Sequence, residues 1–189
     1  MRDISIGVGI TGSFCCFADI IPVIERLARD NKVMPVLSFN AASMDTRFYR
    51  AEDFKNTLRR ITGNEPITTI QGAEQVGPKK MFDIMLIAPC TGNTLAKLAH
   101  SIADSPVTLA AKSHLRNGRP VLIAVSTNDA LCGAAENIGR LLARKNYYFV
   151  PFGQDDPVGK PTSMVAKFNK IPEALNLAAQ GRQLQPILR

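Results

Sequence analysis

The stretch "DIMLIAPCTGNTLAKLAHSIADSPVT", residues 83–108, decides the fold. It begins with a nearly continuous apolar run at residues 83–88, which is typical of a strand covered on both faces of its sheet. Small hydroxyl and amide residues follow at residues 91–94, and leucines then recur at helical spacing. A loop that only reverses the chain does not need so many polar side chains at the end of a strand. We therefore expect this loop to hold a ligand.

Four further apolar runs predict strands around this one. They lie at residues 4–10, 33–38, 120–126 and 147–152, and segments with helical spacing separate them. This order predicts an α/β fold, a Rossmann-like three-layer αβα arrangement with a central, mostly parallel sheet and right-handed crossovers. No linker or repeat divides the chain, so we expect a single domain over residues 1–189. Its last helix is expected at residues 175–179, followed by a C-terminal tail at about residues 180–189.

The composition excludes several classes of protein. Of the 189 residues, 46% are hydrophobic and 21% are charged, which is ordinary for a soluble globular domain and excludes disordered and fibrous chains. The apolar run near the start of the chain is too short for a signal peptide core or a membrane span, so we expect a cytoplasmic protein.

The four cysteines form no C-x-x-C pair and no metal-like pattern with histidine, so we expect reduced thiols and no metal site. Cys15 and Cys16 are expected to pack as small apolar residues. Cys90 adjoins the loop that we expect to hold a ligand, but no activating base is visible beside it in the sequence.

The charge of the chain restricts its partners. With 23 Lys and Arg residues against 16 Asp and Glu residues, the net charge is +7. The basic residues are scattered and are not interleaved with aromatic residues, so we expect no nucleic-acid partner. A positive field favours small dicarboxylates, phosphates or an acidic partner protein.

The first glycines match a dinucleotide-binding pattern only formally. Gly7, Gly9 and Gly12 satisfy G-x-G-x-x-G, but the second strand ends in Ser-Phe-Asn at residues 38–40, where a dinucleotide site needs an acid for the ribose. Gly7 and Gly9 lie inside the first strand and are better explained by close packing. Gly12 and Ser13 follow that strand, where backbone N–H groups and a hydroxyl would hold a phosphate. The alternative is an ordinary turn with a helix N-cap.

Polar loops follow three neighbouring strands of the predicted sheet. They occupy residues 11–13, 91–94 and 126–128. Asn93 or Thr94 would cap the next helix, which accounts for one of these loops but not for all three. The ligand crevice of such sheets lies beyond the carboxyl ends of the strands. A ligand shared by the three loops explains the pattern better.

The segment "APCTGNTLAKLAHSIAD", residues 88–104, resembles the signature AP-x-x-x-NT-x-AK-x-A-x-G-x-AD of the flavoprotein family that includes the flavin-containing cysteine decarboxylases. "ITGS", residues 10–13, matches the position of that family's phosphate-binding Gly-Ser loop. The resemblance implies a flavoprotein fold with FMN as the cofactor, and a homo-oligomer. By motif position it implies a cofactor-binding set: Gly12 and Ser13 at the flavin phosphate, Ser38 and Asn40 at a second phosphate-side loop, Thr91, Asn93 and Thr94 along the flavin's polar edge, and Asn128 at the asparagine of the family's P-x-M-N motif.

Five further segments resemble one branch of this family. They are "DTRF" at residues 45–48, "ITGN" at 61–64, "GPKK" at 77–80, "YFVPFGQDDP" at 148–157 and "LQPIL" at 184–188. In that branch the protein is one of two subunits of an oxidoreductase, and its partner holds a nicotinamide cofactor, NADP. The resemblance implies that the two subunits oxidise a dihydrodipicolinate-type ring to pyridine-2,6-dicarboxylate in the mother cell of sporulating bacteria.

Two departures separate the chain from the decarboxylases of the family. Those enzymes carry a catalytic histidine in the region that corresponds to residues 72–78, and this chain has none there. Its histidines, His100 and His114, fall within helical patterns. "STNDAL", residues 126–131, also lacks the proline and methionine of P-x-M-N. Both departures argue against decarboxylation of a thiol substrate.

Oxidation of a dianionic ring requires cations near the ring and an acceptor for the hydride. Arg47 follows a strand end and would form a forked, bidentate contact with a carboxylate. Weaker candidates are Lys79, Lys80 and Arg119, because isolated surface cations are usually only solvated. Asp155 and Asp156 would act as a base, or would simply cap the turn before Pro157.

Three functional classes remain. The chain is a flavin-dependent subunit of the oxidoreductase, or a non-catalytic assembly subunit that kept the fold without its chemistry, or a flavin-dependent decarboxylase or flavin-modifying enzyme. The missing histidine disfavours the decarboxylase. The retained Gly12, Ser13, Asn93 and Thr94 favour the flavin-dependent subunit.

Overall fold

The centre of the molecule is one seven-stranded sheet, shown by a computed structural model that describes residues 2–189. The strands are β1 (Ser5–Ile10), β2 (Lys32–Leu37), β3 (Ile84–Cys90), β4 (Val121–Thr127), β5 (Tyr147–Phe149), β6 (Phe152–Gln154) and β7 (Met164–Ala166). Strands β2, β1, β3 and β4 are parallel neighbours in that order, and β5 continues the parallel run beside β4. β7 pairs antiparallel with the end of β4, and β6 pairs antiparallel with β7. The predicted mostly parallel sheet is confirmed.

Helices cover both faces of this sheet, so the three-layer α/β prediction is also confirmed. They are α1 (Phe17–Asp30), α2 (Phe39–Ser43), α3 (Ala51–Thr62), α4 (Ile70–Glu74), α5 (Gly92–Ala99), α6 (Pro106–Leu115), α7 (Ala135–Leu142) and α8 (Ile171–Ala178). Single 3₁₀ turns precede α1 and α8, at Phe14–Cys16 and Phe168–Lys170. α1 shows the amphipathic pattern clearly, because Phe17, Ile20 and Ile24 are fully buried while the opposite side is exposed.

The core lies along the middle strands. Every residue of β3 is buried, as expected for a parallel strand covered on both faces. A Cβ atom added to Gly7 would lie 2.3 Å from the Phe82 ring, and one added to Gly9 would lie 2.9 Å from a Val107 methyl carbon. Both glycines therefore allow close packing against the sheet, and their interpretation as packing glycines is confirmed.

The predicted fifth strand at residues 147–152 is wrong in its extent. The structure ends β5 at Phe149 and starts β6 at Phe152, with Val150 and Pro151 between them. Proline has no N–H for a strand ladder, so pairing stops there and the chain changes partner. The short strand β7 was not predicted, because three residues are too few for a periodic pattern.

The segment predicted as a C-terminal tail packs on the sheet edge. The Gln183 side chain accepts from the Phe149 N–H at 2.8 Å and donates to the Phe149 carbonyl at 2.7 Å. Leu184 is buried, and the Arg189 N–H donates to the Phe152 carbonyl at 3.1 Å. Within residues 2–189, no helix is long and apolar enough to cross a membrane.

Candidate functional site

The three polar loops meet at the carboxyl ends of β1, β3 and β4. The buried Thr11 hydroxyl donates to the Pro89 carbonyl at 2.8 Å and accepts from the Thr91 N–H at 3.0 Å. The Ser13 hydroxyl donates to the Ser126 carbonyl at 2.8 Å. β1 and β3 lie side by side although the chain visits β2 between them, which is the switch point where ligands bind in such sheets. The predicted convergence of the loops is confirmed.

The loop after β3 is organised by Thr91. Its hydroxyl accepts from the Thr94 N–H at 3.3 Å and lies 3.0 Å from the Thr94 hydroxyl. Thr91 is thus the N-cap, and the expectation that Asn93 or Thr94 caps the helix is wrong. The helix begins at Gly92 because Thr91 is still extended, and this places the exposed Asn93 on the first turn.

Two adjoining cavities occupy this edge of the sheet. The larger, of about 610 Å³, is lined by Ser13, Asn128 and Asp155 among others. The smaller, of about 210 Å³, is lined by hydroxyl and amide side chains and one lysine: Ser38, Asn40, Asn93, Thr94 and Lys97. Gly12 and Thr91 line both cavities and form the boundary between them. The structure therefore brings all eight residues of the predicted cofactor-binding set to one edge.

The hydroxyl of Ser13 has a structural partner. It does not cap the 3₁₀ turn that follows it, so the N-cap alternative is wrong, and its proton goes to the Ser126 carbonyl. The backbone N–H groups of Gly12, Phe14 and Cys15 donate no hydrogen bond to any residue that the structure describes. Free N–H groups at the start of a helical turn attract anions. The free donors of this loop are therefore its backbone N–H groups, and the Ser13 hydroxyl is not one of them.

The Ser38 hydroxyl is the N-cap of α2 and accepts from the Ala41 N–H at 3.3 Å. This capping fixes the loop after β2, and Asn40 then faces the smaller cavity from the first turn of α2. No acidic side chain lines the smaller cavity among the described residues. The one ammonium group, that of Lys97, is paired with Asp104 at 2.8 Å. A lining of neutral hydroxyl and amide groups suits a polyhydroxyl chain or the oxygens of a phosphate.

The larger cavity carries carboxylates instead. Asp19, Asp129 and Asp155 line it, and Lys160 is the only cation there among the described residues. The Thr127 hydroxyl donates to Asp129, and a Cβ atom added to Gly92 would lie 2.7 Å from both of these side chains. Gly92 therefore allows α5 to approach the loop after β4.

Sequence reasoning missed Asp19, Asp129 and Lys160. Asp19 reaches the cavity only because the 3₁₀ turn places the first turn of α1 beside it, and Lys160 comes from the loop between β6 and β7. Asp129 had a visible signal, since it directly follows Asn128 in a polar loop at a strand end.

The two predicted acids have different environments. Asp155 lines the larger cavity, and its carboxylate lies 3.7 Å from the Lys160 ammonium. Partial burial raises the pKa of Asp155, but the Ser163 hydroxyl, its own backbone N–H and Lys160 together hold that pKa below its usual value. Asp156 does not line the cavity; its carboxylate accepts from the Gly159 N–H at 2.8 Å. The structure thus supports the turn-capping alternative for Asp156.

The predicted cations are divided between the two ends of the sheet. Arg47 is exposed at the cavity rim, with its guanidinium carbon 4.8 Å from the ring centroid of Phe48, which lines the larger cavity. Arg119 lies before the amino end of β4, where it pairs with Asp83 at 3.4 Å. Lys79 and Lys80 precede β3 at the same end. These last three lie away from the site because ligands bind at the carboxyl ends.

The two buried thiols near the site, Cys16 and Cys90, have raised pKa values. Burial raises the pKa of Cys16 to about 11, although the Ser126 hydroxyl 3.1 Å from its sulfur opposes this shift. Burial also raises the pKa of Cys90. Cys15 was expected to pack as a small apolar residue, but it is exposed and lines the larger cavity. Neither buried thiol supplies a thiolate nucleophile at neutral pH.

Comparison with known proteins assigns the chain to a family. A protein-family model named Flavoprotein matches residues 1–172. The chain belongs to the flavoprotein family. It is 47% identical over 184 residues to the B subunit of dipicolinate synthase from Bacillus subtilis (strain 168), a match that covers 97% of this chain and 92% of that protein.

Solved structures agree with this assignment. The crystal structure of the dipicolinate synthase B subunit from Bacillus halodurans C has a TM-score of 0.91 and 42% identity, over 100% of this chain and 97% of that one. A dodecameric FMN-dependent UbiX-like decarboxylase from Escherichia coli O157:H7 has a TM-score of 0.61 and 22% identity, over 78% of this chain and 80% of that one. The second likeness shows a shared fold.

Proposed function

We propose that the chain acts as the B subunit of a dipicolinate synthase. In this proposal it works with a nicotinamide-binding partner, the A subunit, which holds NADP, to oxidise a dihydrodipicolinate-type ring to dipicolinate during sporulation. The observation that carries the proposal is the 47% identity to the Bacillus subtilis protein, which spans nearly the whole of both chains. The expected location is the cytoplasm of the mother cell.

The residues at the site fit an FMN molecule. The smaller cavity offers hydroxyl and amide donors without a carboxylate, which suits the phosphate and ribityl groups. The larger cavity, at about 610 Å³, is within the usual size range of cofactor sites. The residues that would hold FMN are Gly12, Ser13, Ser38, Asn40, Thr91, Asn93, Thr94 and Asn128. When bound, FMN supplies an acceptor for a hydride.

The charge of the larger cavity restricts how the substrate binds. Three carboxylates against one ammonium group disfavour a dianionic ring in the same space. The cations that bind the dicarboxylate must therefore come from the rim or from the partner. Arg47 is the candidate at the rim, because its stacking on Phe48 places a guanidinium beside the cavity. We assign the remaining cations to the nicotinamide-binding partner.

Oxidation of the ring removes a hydride and a proton. In the proposal Asp155 accepts the proton from a ring bound at the rim, because it is the predicted acid whose side chain lines the larger cavity. Its lowered pKa keeps it ionised but makes it a weaker base than an ordinary aspartate. Asp156, the other predicted catalytic acid, would position Asp155 by holding the turn at Gly159. The proposal therefore assigns chemistry to Arg47 and Asp155 and a supporting role to Asp156.

A homo-oligomer is part of the proposal. Three large apolar side chains are 45–48% exposed near the cavities: Phe39, Met44 and Phe48. The burial of such a cluster favours association of copies of the chain. The Escherichia coli decarboxylase with this fold is a dodecamer, which supports a homo-oligomer.

The decisive experiment is an absorbance spectrum of the natively purified protein, before and after soaking with FMN and dialysis. We expect bands near about 450 nm that survive dialysis. Asn93→Leu should weaken FMN binding at least tenfold, whereas the matched control Asn56→Leu on an exposed turn of α3 should not. With the nicotinamide-binding partner, NADP and the dihydro ring, dipicolinate formation should fall in parallel with FMN occupancy.

A second candidate is a non-catalytic assembly subunit. Two observations favour this candidate. The Ser13 hydroxyl already donates to the Ser126 carbonyl, and the larger cavity is lined by carboxylates. A colourless protein that ignores FMN, yet is required for dipicolinate formation by the nicotinamide-binding partner, would establish this candidate and exclude the flavin-dependent role. An FMN-dependent decarboxylase is disfavoured by the missing histidine in residues 72–78.

A further inference from the structure

A third cavity, of about 300 Å³, lies beyond the C-terminal end of α5, between α6 and the start of β5. It shares no lining residue with the two cavities at the carboxyl ends of the strands. Three cations line it, Lys112, Arg116 and Arg144, and no acidic residue does so in the part of the chain that the structure describes. The rest of the lining is largely apolar and includes Ile102 and Leu115.

Arg144 is held rigidly at this cavity. Its Nη1 donates to the Leu98 carbonyl at 3.0 Å, and its Nη2 donates to the Ala99 carbonyl at 2.6 Å. These contacts fix the guanidinium at the end of α5 without neutralising its charge. A cation fixed in advance loses little conformational freedom when it binds an anion.

No described carboxylate pairs with the cations of this cavity. Within residues 2–189, no carboxylate lies within salt-bridge distance of Lys112, Arg116 or Arg144. The acids nearest in sequence, Asp104 and Glu136, are paired with Lys97 at 2.8 Å and with Arg140 at 2.5 Å. Lys112 and Arg116 are four residues apart, so they share one side of the α6 end. Like charges gathered in this way favour a bound anion.

Tyr147 adds a neutral donor. Burial raises the pKa of its phenol to about 12, so the group keeps its proton at physiological pH. The hydroxyl forms no hydrogen bond with any described residue, although it lines the cavity. Ile102 beside it is 47% exposed, which is unusual for a large apolar side chain. The cavity thus combines cations, a phenol donor and an apolar wall.

We propose that this cavity is a binding site for a small planar carboxylic acid. The carboxylate would bind to the fixed Arg144 together with Lys112, Arg116 and the Tyr147 hydroxyl, and the ring would pack on Ile102 and Leu115. The volume suits a single-ring acid, at the lower end of the size of small-molecule sites. This site is separate from the flavin cavities and does not depend on the proposed function.

Isothermal titration of the whole protein with benzoate, pyridine-2,6-dicarboxylate and inorganic phosphate tests the site. We expect the two aromatic acids to bind at least tenfold more tightly than phosphate. The double variant Lys112→Gln/Arg116→Gln should weaken their binding at least tenfold, and Tyr147→Phe severalfold. Lys145→Gln, an exposed neighbour outside the lining, should leave binding unchanged.

Three results would overturn the assignment. One is the absence of heat from either aromatic acid at millimolar concentration. Another is equal binding of phosphate and benzoate, because the apolar wall would then contribute nothing. The third is binding that survives the double variant but is displaced by FMN, which would place the acid in the flavin cavities. The affinity for FMN should also be measured on the same variants. Normal FMN binding together with lost or unchanged acid binding bears only on the third cavity, whereas absence of FMN binding in the wild type bears only on the proposed function.

Discussion

At the scale of single residues, Gly12 lies at the boundary between the two cavities at the carboxyl ends of the strands. A Cβ atom at this position would lie 3.6 Å from the Phe14 ring and 3.8 Å from the Asn40 Cβ, which is ordinary contact. A methyl group therefore fits the folded protein, but it would occupy space that lines both cavities. The fold itself therefore does not require a glycine at this position.

We expect Gly12→Ala to leave the free energy of unfolding within about 0.5 kcal/mol of the wild-type value while weakening FMN binding at least tenfold. Urea denaturation and FMN titration measure the two effects separately. Unchanged FMN affinity would show that the boundary between the cavities is not part of a flavin site.

His114 gives the protein a pH dependence unrelated to the ligand site. It is 1% exposed, and one ring nitrogen lies 3.0 Å from the Pro120 carbonyl. Burial lowers its pKa from 6.5 to about 4, with the nearby Arg119 charge acting in the same direction. Between these values the unfolded chain binds a proton that the folded chain does not.

The free energy of unfolding should therefore fall as the pH drops from 6.5 towards 4, by on the order of 3 kcal/mol from this residue. Urea denaturation across this range, for the wild type and for His114→Gln, measures the effect. The variant should lose that part of the slope, whereas His100→Gln, at an exposed position, should keep it. Equal slopes for all three proteins would refute the assignment.

At the scale of elements, α5 ends in a strained turn. The Ile102 N–H donates to the Lys97 carbonyl at 2.8 Å, and Ser101 between them has a φ of 60°. This is the left-handed position that glycine normally occupies at a helix C-terminus. Gly63 holds the equivalent position after α3 with a φ of 68°.

Ser101→Gly should raise the free energy of unfolding by about 0.5–1 kcal/mol, because glycine adopts this conformation without strain. The reverse change at the equivalent position, Gly63→Ala, should lower the free energy of unfolding by about 1 kcal/mol. Thermal unfolding checks both changes. A destabilised Ser101→Gly variant would mean that the serine side chain contributes more than the backbone strain costs.

Elements with long periodic patterns were predictable from sequence, and short or irregular ones were not. The continuous apolar run of β3 defined a buried strand, and the helical spacing around Ile20 and Ile24 defined α1. At the site, the predicted ends of β1 and β3 were enough to bring Gly12 and Thr91 to the same edge of the sheet, where the structure also has them. Asp19 and Lys160 were not predicted, because tertiary packing brings them to the larger cavity and no local sequence pattern indicates that packing.

At the scale of the whole molecule, the larger cavity has a charge opposite in sign to the net charge of the chain. The chain carries +7, yet the larger cavity is lined by three carboxylates and one ammonium group. A positive outer field attracts an anionic substrate or an acidic partner surface from a distance, while the cavity rejects a second negative charge. This contrast agrees with the proposal that a partner subunit supplies the cations for the dicarboxylate.

The last segment of the chain closes the sheet and gives the final prediction. Residues 183–189 cover β5 and β6 through the two hydrogen bonds of Gln183, the buried Leu184 and the bond from Arg189 to Phe152. Removing them exposes the Leu184 contact surface and leaves the Phe149 N–H and carbonyl without these partners. We expect deletion of residues 183–189 to lower the free energy of unfolding by roughly 3–5 kcal/mol in urea denaturation. Arg182→Ala, an exposed change just before the segment, should have little effect; equal stability of the deleted and full chains would mean that the segment only rests on the surface.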